Sequence, residues 1–413
     1  MKINAIPGGV TAARGFSAAC CAAGIKYRDR MDMAMVVSSA PCRVAGTFTR
    51  NVVKAAPVIW DRDIVCGAGM AQAVVVNAGV ANAATGETGM EMCRRTAAFT
   101  AKALNIPESY VLVGSTGVIG PNLPIDRICG GVEKMAGLLS DSLEAGTAAS
   151  RAIMTTDTVN KECAVEFELP SENGPVKVRL GGMSKGSGMI HPNMCTMLGY
   201  VTTDCAIDRA LMQKALSHVV DETFNMISVD GDTSTNDTLL VLANGLAGNA
   251  PITGAGAAYD AFCAALTAVC RDLAVKMAGD GEGATHLIET RVIHADTVAN
   301  ARTLAKSVIG SSLVKAMVFG KDANCGRVLC ALGYSGVEFD PAAIEVYMVG
   351  DKETVCFYRD GCVQAFDEGA ALRLLSETEV RLLCDMKMGQ AEATAWGCDL
   401  TYDYVKINGD YRT

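Results

Sequence analysis

Short runs of β-branched and aliphatic residues alternate along this chain with longer stretches of helical spacing, and that alternation limits the fold more than any other feature. Ala73–Asn77 and Tyr110–Val113 read as buried strands, whereas Met90–Leu104 and Pro124–Leu139 carry apolar residues at helical intervals. Strands and helices in such alternation bury their apolar faces in a layered α/β architecture. Cys163–Leu169 and Val176–Leu180 read as two further strands joined through Ser171-Glu172-Asn173-Gly174, whose Asn-Gly end is a hairpin signal. Asp208–Val220 sets Leu211, Ala215, Leu216, Val219 and Val220 on one helical face, with Asp208 near its start. A second long helix, Ala257 to Ala278, places Ala261, Phe262, Ala265, Leu266, Val269, Leu273 and Met277 toward a core, and glycines at 279, 281 and 283 break it. A strand at His286–His294, a helix at Val298–Ile309 and strands within Glu345–Tyr358 then make a smaller α+β unit. The expected division is a main α/β domain over residues 1–283 and a smaller domain over 284–413.

Composition narrows the function. At 413 residues, half of them hydrophobic and a fifth charged, the chain can bury large cores, which excludes a mostly disordered protein. The net charge of −9 and the lack of Lys/Arg clusters argue against a nucleic-acid partner. Seventeen cysteines without a C-x-x-C pair, beside four histidines, do not have zinc-site spacing; they read as free thiols in a reducing, cytoplasmic setting. The apolar stretch Phe16 to Ile25 is bracketed by Arg14 and Lys26, unlike a signal peptide, and no run reads as membrane-spanning.

The segment Lys185-Gly186-Ser187-Gly188-Met189-Ile190-His191-Pro192-Asn193-Met194-Cys195-Thr196-Met197-Leu198 leads a glycine-rich approach into an apolar strand. It lacks the residue order of a P-loop, and Gly-x-Gly beside a lysine also fits an ordinary turn. A hydroxyl is a poor nucleophile without a base, and an N-terminal Thr supplies one in its own α-amine, with a pKa of roughly 7.7–8.0. An internal Thr196 gains that base only after the bond before it is cut, which its hydroxyl can do by attacking the Cys195 carbonyl. The acidic run Asp230-Gly231-Asp232-Thr233-Ser234-Thr235-Asn236-Asp237 fails as an EF-hand, since Thr235 and Val241 stand where Gly and Glu are required. It reads as structural or as lining a site.

Lys185–Asp204 resembles the signature of the ornithine acetyltransferases, a family that cleaves itself before the Thr of this motif. Phe48–Asn51, Val75–Gly86, Gly114–Gly120, Ile153–Thr158, Ile227–Thr238, Gly281–Thr285, Ser312–Gly336 and Ile407–Thr413 resemble further family blocks in the expected order. The resemblance implies an α/β fold of the N-terminal-nucleophile-like type, with a C-terminal tail returning to the active site. It implies cleavage between Cys195 and Thr196, giving an α chain of residues 1–195 and a β chain of 196–413. Two of each would form a heterotetramer. Thr196 is the implied nucleophile, Thr116 and Gly117 the oxyanion hole, and Thr155, Lys185, Thr196, Glu282, Asn408 and Thr413 the substrate contacts. The implied reaction passes acetyl from N-acetylornithine to glutamate in arginine biosynthesis, with no cofactor or metal. Members that also take acetyl-CoA make N-acetylglutamate directly, and both forms fit these residues. A hydrolase of the N-terminal-Thr aminopeptidase or amidase type, in which water resolves the acyl-enzyme, is the alternative. Val80, Cys195, His286 and Cys325 depart from the family's common Asn, Ala, Lys and Trp.

Overall fold

The computed structural model describes residues 2–26, 28–191 and 197–410. Its strands up to residue 243 are β1 (Asn4–Ile6), β2 (Phe16–Cys21), β3 (Met33–Phe48), β4 (Met70–Asn77), β5 (Val111–Ser115), β6 (Lys161–Ser171), β7 (Gly174–Lys185), β8 (Leu198–Thr203), β9 (Ile227–Ser228) and β10 (Thr238–Ala243). All but β9 form one sheet in the order β1-β6-β7-β8-β10-β3-β4-β5, with β2 added alongside β3. The helices of this region are α1 (Ala56–Cys66), α2 (Gly86–Leu104), α3 (Ile125–Ala136), α4 (Leu143–Ala152), α5 (Arg209–Glu222) and α6 (Ala257–Gly279).

Strand β3 explains the layering. Because side chains alternate along a strand, Ala34, Val36, Cys42 and Val44 fall in one buried cluster, with Val74, Val76 and Leu240 from neighbouring strands and Ala149 and Ala152 from α4. Met33 and Met35 point the other way, into a cluster with Val75 of β4 and Ile128, Val132 and Met135 of α3. With helices covering both faces, the strands read as continuous apolar runs, as Ala73–Asn77 does.

Most predicted elements appear within a few residues of their expected bounds. Asp208 is the N-cap of α5, accepting from the amides of Ala210 and Leu211. Helix α6 ends at Gly279 with the predicted face buried. Three local details differ. Tyr110 closes a 3-10 turn over Glu108–Tyr110, because Pro107 starts a turn before the strand. Pro124 is the N-cap residue of α3 rather than its first turn, and the helix stops at Ala136 before Gly137. In the β6–β7 hairpin Ser171 pairs with Gly174, so Glu172 and Asn173 form the turn and Gly174, at φ +101°, absorbs the left-handed conformation.

The chain divides into two compact units: residues 2–186, 197–225 and 233–274 make up one, and 187–191, 226–232 and 275–410 the other. The second unit is built on a sheet of β9 with β11 (Leu287–Ala295), β12 (Glu345–Val349), β13 (Thr354–Arg359), β14 (Cys362–Val363), β15 (Glu379–Asp385) and β16 (Ala391–Cys398), in the order β14-β13-β12-β15-β11-β16-β9. The described cysteines are free thiols, and burial pushes Cys21 up to about 11 and Cys42 to about 12, so they behave as small apolar residues. Among the described residues no helix is long and apolar enough to cross a membrane, and no cluster of His, Cys, Asp and Glu is arranged to hold a metal ion.

Candidate active site

Thr116 and Gly117 follow directly on β5, half-buried in a loop against the 79–81 segment. The Thr116 amide donates to Asn77 O at 3.0 Å, so its hydroxyl is the group it has to offer a ligand. Gly117 sits at φ +127°, and a Cβ there would overlap the Gly79 backbone. Gly117→Ala is expected to cost about 1–3 kcal/mol through backbone strain, read as a lowered thermal midpoint. Val80, where the family's common residue is Asn, contributes through its backbone: its carbonyl accepts from Asn77 Nδ2 at 2.8 Å and Ser115 Oγ at 2.7 Å. Its side chain packs into a buried apolar cluster with Val75, Leu123 and Ile128.

Lys185, at the end of β7, shares a carboxylate with a second lysine. Asp157 lies wholly buried between α4 and β6; it accepts from Lys161 Nζ at 2.7 Å and stands 3.8 Å from Lys185 Nζ. Its oxygens also accept from the amides of Gly186 at 2.7 Å and Thr155 at 3.0 Å. Burial works to raise this carboxyl, but the Lys185 and Lys161 ammonium groups and the Lys161 and Gly186 hydrogen bonds outweigh it and hold the group well below the usual carboxylate range. Lys185 thus brings an ammonium group to this buried network, the kind of group that binds a substrate carboxylate. Thr155 lines an open groove of about 560 Å³ with Arg30, Arg151 and Thr158. Arg30 donates to the carbonyls of Met154 and Thr155 at 2.5 and 3.1 Å.

Glu282 and Asn408 meet in the second unit: Asn408 Nδ2 donates to Glu282 Oε2 at 2.7 Å. The buried Glu282 carboxylate lies directly over Gly188, where any Cβ would overlap it, and the Glu282 amide donates to Ser187 O at 2.8 Å. Asp230 completes the grip on this segment, accepting from the amides of Met189 at 2.6 Å and Ile190 at 2.9 Å and from the Tyr404 hydroxyl at 3.2 Å. His191 Nδ1 is 3.0 Å from Ser228 Oγ; burial, and then the Lys306 ammonium, push the imidazole down to about 4, so it is neutral near pH 7. The second unit thus holds the residues leading to the proposed scissile bond, whereas Cys195, Thr196 and Thr413 lie outside the described residues. Of the other departures, His286 Nδ1 stands 3.1 Å from Asp399 Oδ2, and Cys325 is buried at the start of the helix Cys325–Gly333.

Asp157 was not singled out from sequence, where its four-residue spacing from Lys161 was the available signal; Asp230 was marked only as the first residue of the acidic run, without its role in holding Met189 and Ile190.

In the first unit a hydroxyl stands beside a glycine loop and a lysine beside a buried carboxylate, and in the second a buried carboxylate pairs with an amide; each is a kind of group suited to a small charged substrate or an anionic intermediate. The ArgJ family model matches residues 17–413. The arginine biosynthesis bifunctional protein ArgJ of Symbiobacterium thermophilum is 53% identical over 410 residues, 99% of each chain. The protein of the same name from Caldanaerobacter subterraneus subsp. tengcongensis is 47% identical over 408 residues, again 99% of each. Among solved structures, a chain of the Bacillus halodurans ArgJ protein is 44% identical, with 51% of this chain and 97% of that one covered and a TM-score of 0.49. The chain belongs to the ArgJ family, the ornithine acetyltransferases that its motifs resemble.

Proposed function

We propose that this chain cuts itself between Cys195 and Thr196 and then carries acetyl from N-acetylornithine to glutamate on the Thr196 hydroxyl. As an ArgJ family member it is an acetyltransferase of arginine biosynthesis, and the observation that carries this reading is the family match over residues 17–413. In the first step the Thr196 hydroxyl attacks the Cys195 carbonyl, the peptide C–N bond breaks and its nitrogen takes the hydroxyl proton to become the free Thr196 α-amine; water then hydrolyses the ester, releasing the Cys195 carboxylate and restoring the hydroxyl. That amine takes the hydroxyl proton as Thr196 attacks the acetyl carbonyl. The tetrahedral oxyanion receives hydrogen bonds from the Thr116 hydroxyl and the Gly117 amide. Collapse expels ornithine, whose nitrogen takes the proton, and leaves acetyl-Thr196. The glutamate amine then attacks the ester, N-acetylglutamate departs, and Thr196 Oγ regains its proton.

Lys185 offers its charge to a substrate carboxylate, and Glu282, oriented by Asn408, offers its own to the amine of ornithine. Thr155 and Thr413 supply neutral hydrogen bonds. We place the enzyme in the cytoplasm, as two α and two β chains. The relatives are called bifunctional, and we propose acetyl-CoA as a second acetyl donor. The test is acetyl transfer to glutamate assayed separately from N-acetylornithine and from acetyl-CoA. N-acetylglutamate formed with ping-pong kinetics is expected, and free acetate without transfer would overturn the reading in favour of a hydrolase.

A further inference from the structure

Asn236 belongs to the acidic run that neither the sequence reading nor the proposed reaction uses, yet its side chain is buried and fully engaged. Its Nδ2 donates to Ala81 O at 2.5 Å and to Ser115 O at 2.8 Å, and its Oδ1 accepts from the Thr235 hydroxyl at 2.7 Å. Only this orientation of the amide puts donors on both carbonyls and an acceptor on the hydroxyl. The carbonyls belong to two segments that face each other: Ser115 immediately precedes Thr116 and Gly117, and Ala81 follows the Gly79-Val80 pair against which Gly117 packs.

The origin of Asn236 gives the contact its meaning. Strand β10 runs parallel to β8 with Thr238 opposite Leu198, and the Thr238 amide donates to Met197 O at 2.8 Å. Asn236 stands as many residues ahead of Thr238 as Thr196 stands ahead of Leu198 in the sequence. The backbone of 236 is itself fixed, its amide donating to Ser234 Oγ at 3.2 Å and its carbonyl accepting from Thr238 Oγ1 at 3.1 Å. A carboxamide two residues ahead of β10, the strand that pairs with β8, therefore grips the segment that leads into Thr116 and Gly117.

We propose that Asn236 is a positioning residue, which sets the distance between the Thr116–Gly117 loop and the strand that follows Thr196. It touches no substrate atom. Its two donors fix Ser115 and Ala81, so the Thr116 hydroxyl and Gly117 amide are held in place before the oxyanion forms, at no reorganisation cost during the reaction. This rests on the reading of Thr116 and Gly117 as the oxyanion hole.

The test compares Asn236→Asp, Thr235→Val and Thr116→Ala on the full-length chain, with rates expressed per molecule of processed β chain. Asn236→Asp replaces a two-donor amide with a group facing two carbonyl oxygens. It is expected to slow processing and to lower kcat about 100-fold with KM for N-acetylornithine changed little, the size of effect that misplacing catalytic groups by about 1 Å produces. Thr235→Val leaves the clamp in place without its orienting hydroxyl and is expected to lower kcat about 5-fold by the same reasoning. A KM effect alone, or kcat per processed molecule unchanged in both variants while the thermal midpoint falls, would overturn the proposal and leave Asn236 a packing residue. If Thr116→Ala itself leaves kcat intact, the oxyanion-hole reading fails instead. Should Asn236→Asp not fold, Thr235→Val decides on the same kcat criterion.

Discussion

Replacing Thr196 with alanine is expected to leave one full-length chain and no acetyl transfer. In the proposed mechanism both losses have a single cause, because one hydroxyl makes the cut and then carries the acetyl group. Removal of a nucleophile that acts with its base as a unit costs about 10⁴-fold or more in kcat. Denaturing mass spectrometry should show only the uncut species, where the parent gives two fragments with Thr196 at the new N-terminus. Thr196→Ser is the informative control. It keeps a hydroxyl on the same carbon and is expected to retain both processing and transfer at reduced rate. An uncut parent that is fully active would end the self-cleavage reading, and a cut Thr196→Ala chain would place the nucleophile elsewhere.

Asp157→Asn is expected to be the most destabilising single change in the first unit. The wild-type carboxylate answers Lys161, whose side chain is wholly buried, and Lys185, nearly so. Removing one member of a buried ion pair strands the other without compensation, a loss of about 3–5 kcal/mol. A thermal midpoint lower by about 10 °C follows. Adding Lys161→Met should recover much of it, since replacing a buried pair with apolar groups of similar volume is often neutral. The same group sets an acid limit. Unfolded, the carboxyl titrates near about 3.9, whereas in the folded chain it is held well below that range. Between these values the unfolded chain binds a proton that the folded chain refuses. The stabilisation is therefore complete above about pH 4 and drains away as pH falls toward the folded value. Chemical denaturation at pH 6 and pH 3 should show this acid loss in the parent and a smaller one in Asp157→Asn.

The sequence made the local elements legible because their causes are local. The period of α6, the Asp208 cap and the Gly174 turn each depend on residues within a few positions of one another. The misread ends at Tyr110 and Pro124 come from prolines that start a turn one step away from the strand or helix. Family motifs named Thr116, Lys185 and Glu282, but not what holds them. Asp157 binds amides and lysines from two segments that meet only when β6 pairs with β7. Asn236 joins positions more than a hundred residues apart, through strand register and not through any pattern in the run that contains it. The Val80 departure removes no proposed catalytic group, and the hydrogen bonds at that position are made by its backbone carbonyl.

The second unit gathers residues 187–191 together with Asp230, Glu282 and Asn408, so its parts are made at widely separated moments. A ribosome releases the segment ahead of Thr196 long before Glu282 exists, and Asn408 and Tyr404 arrive only with the last turns of the chain. The grip of Asp230 and Glu282 on that segment cannot be complete during synthesis. On the proposed self-cleavage, chain length would act as a clock, since the contacts that hold residues 187–191 are complete only once Tyr404 and Asn408 have been made. Truncation before Tyr402 should accordingly yield an uncut chain, even though every residue flanking the Cys195–Thr196 bond is intact.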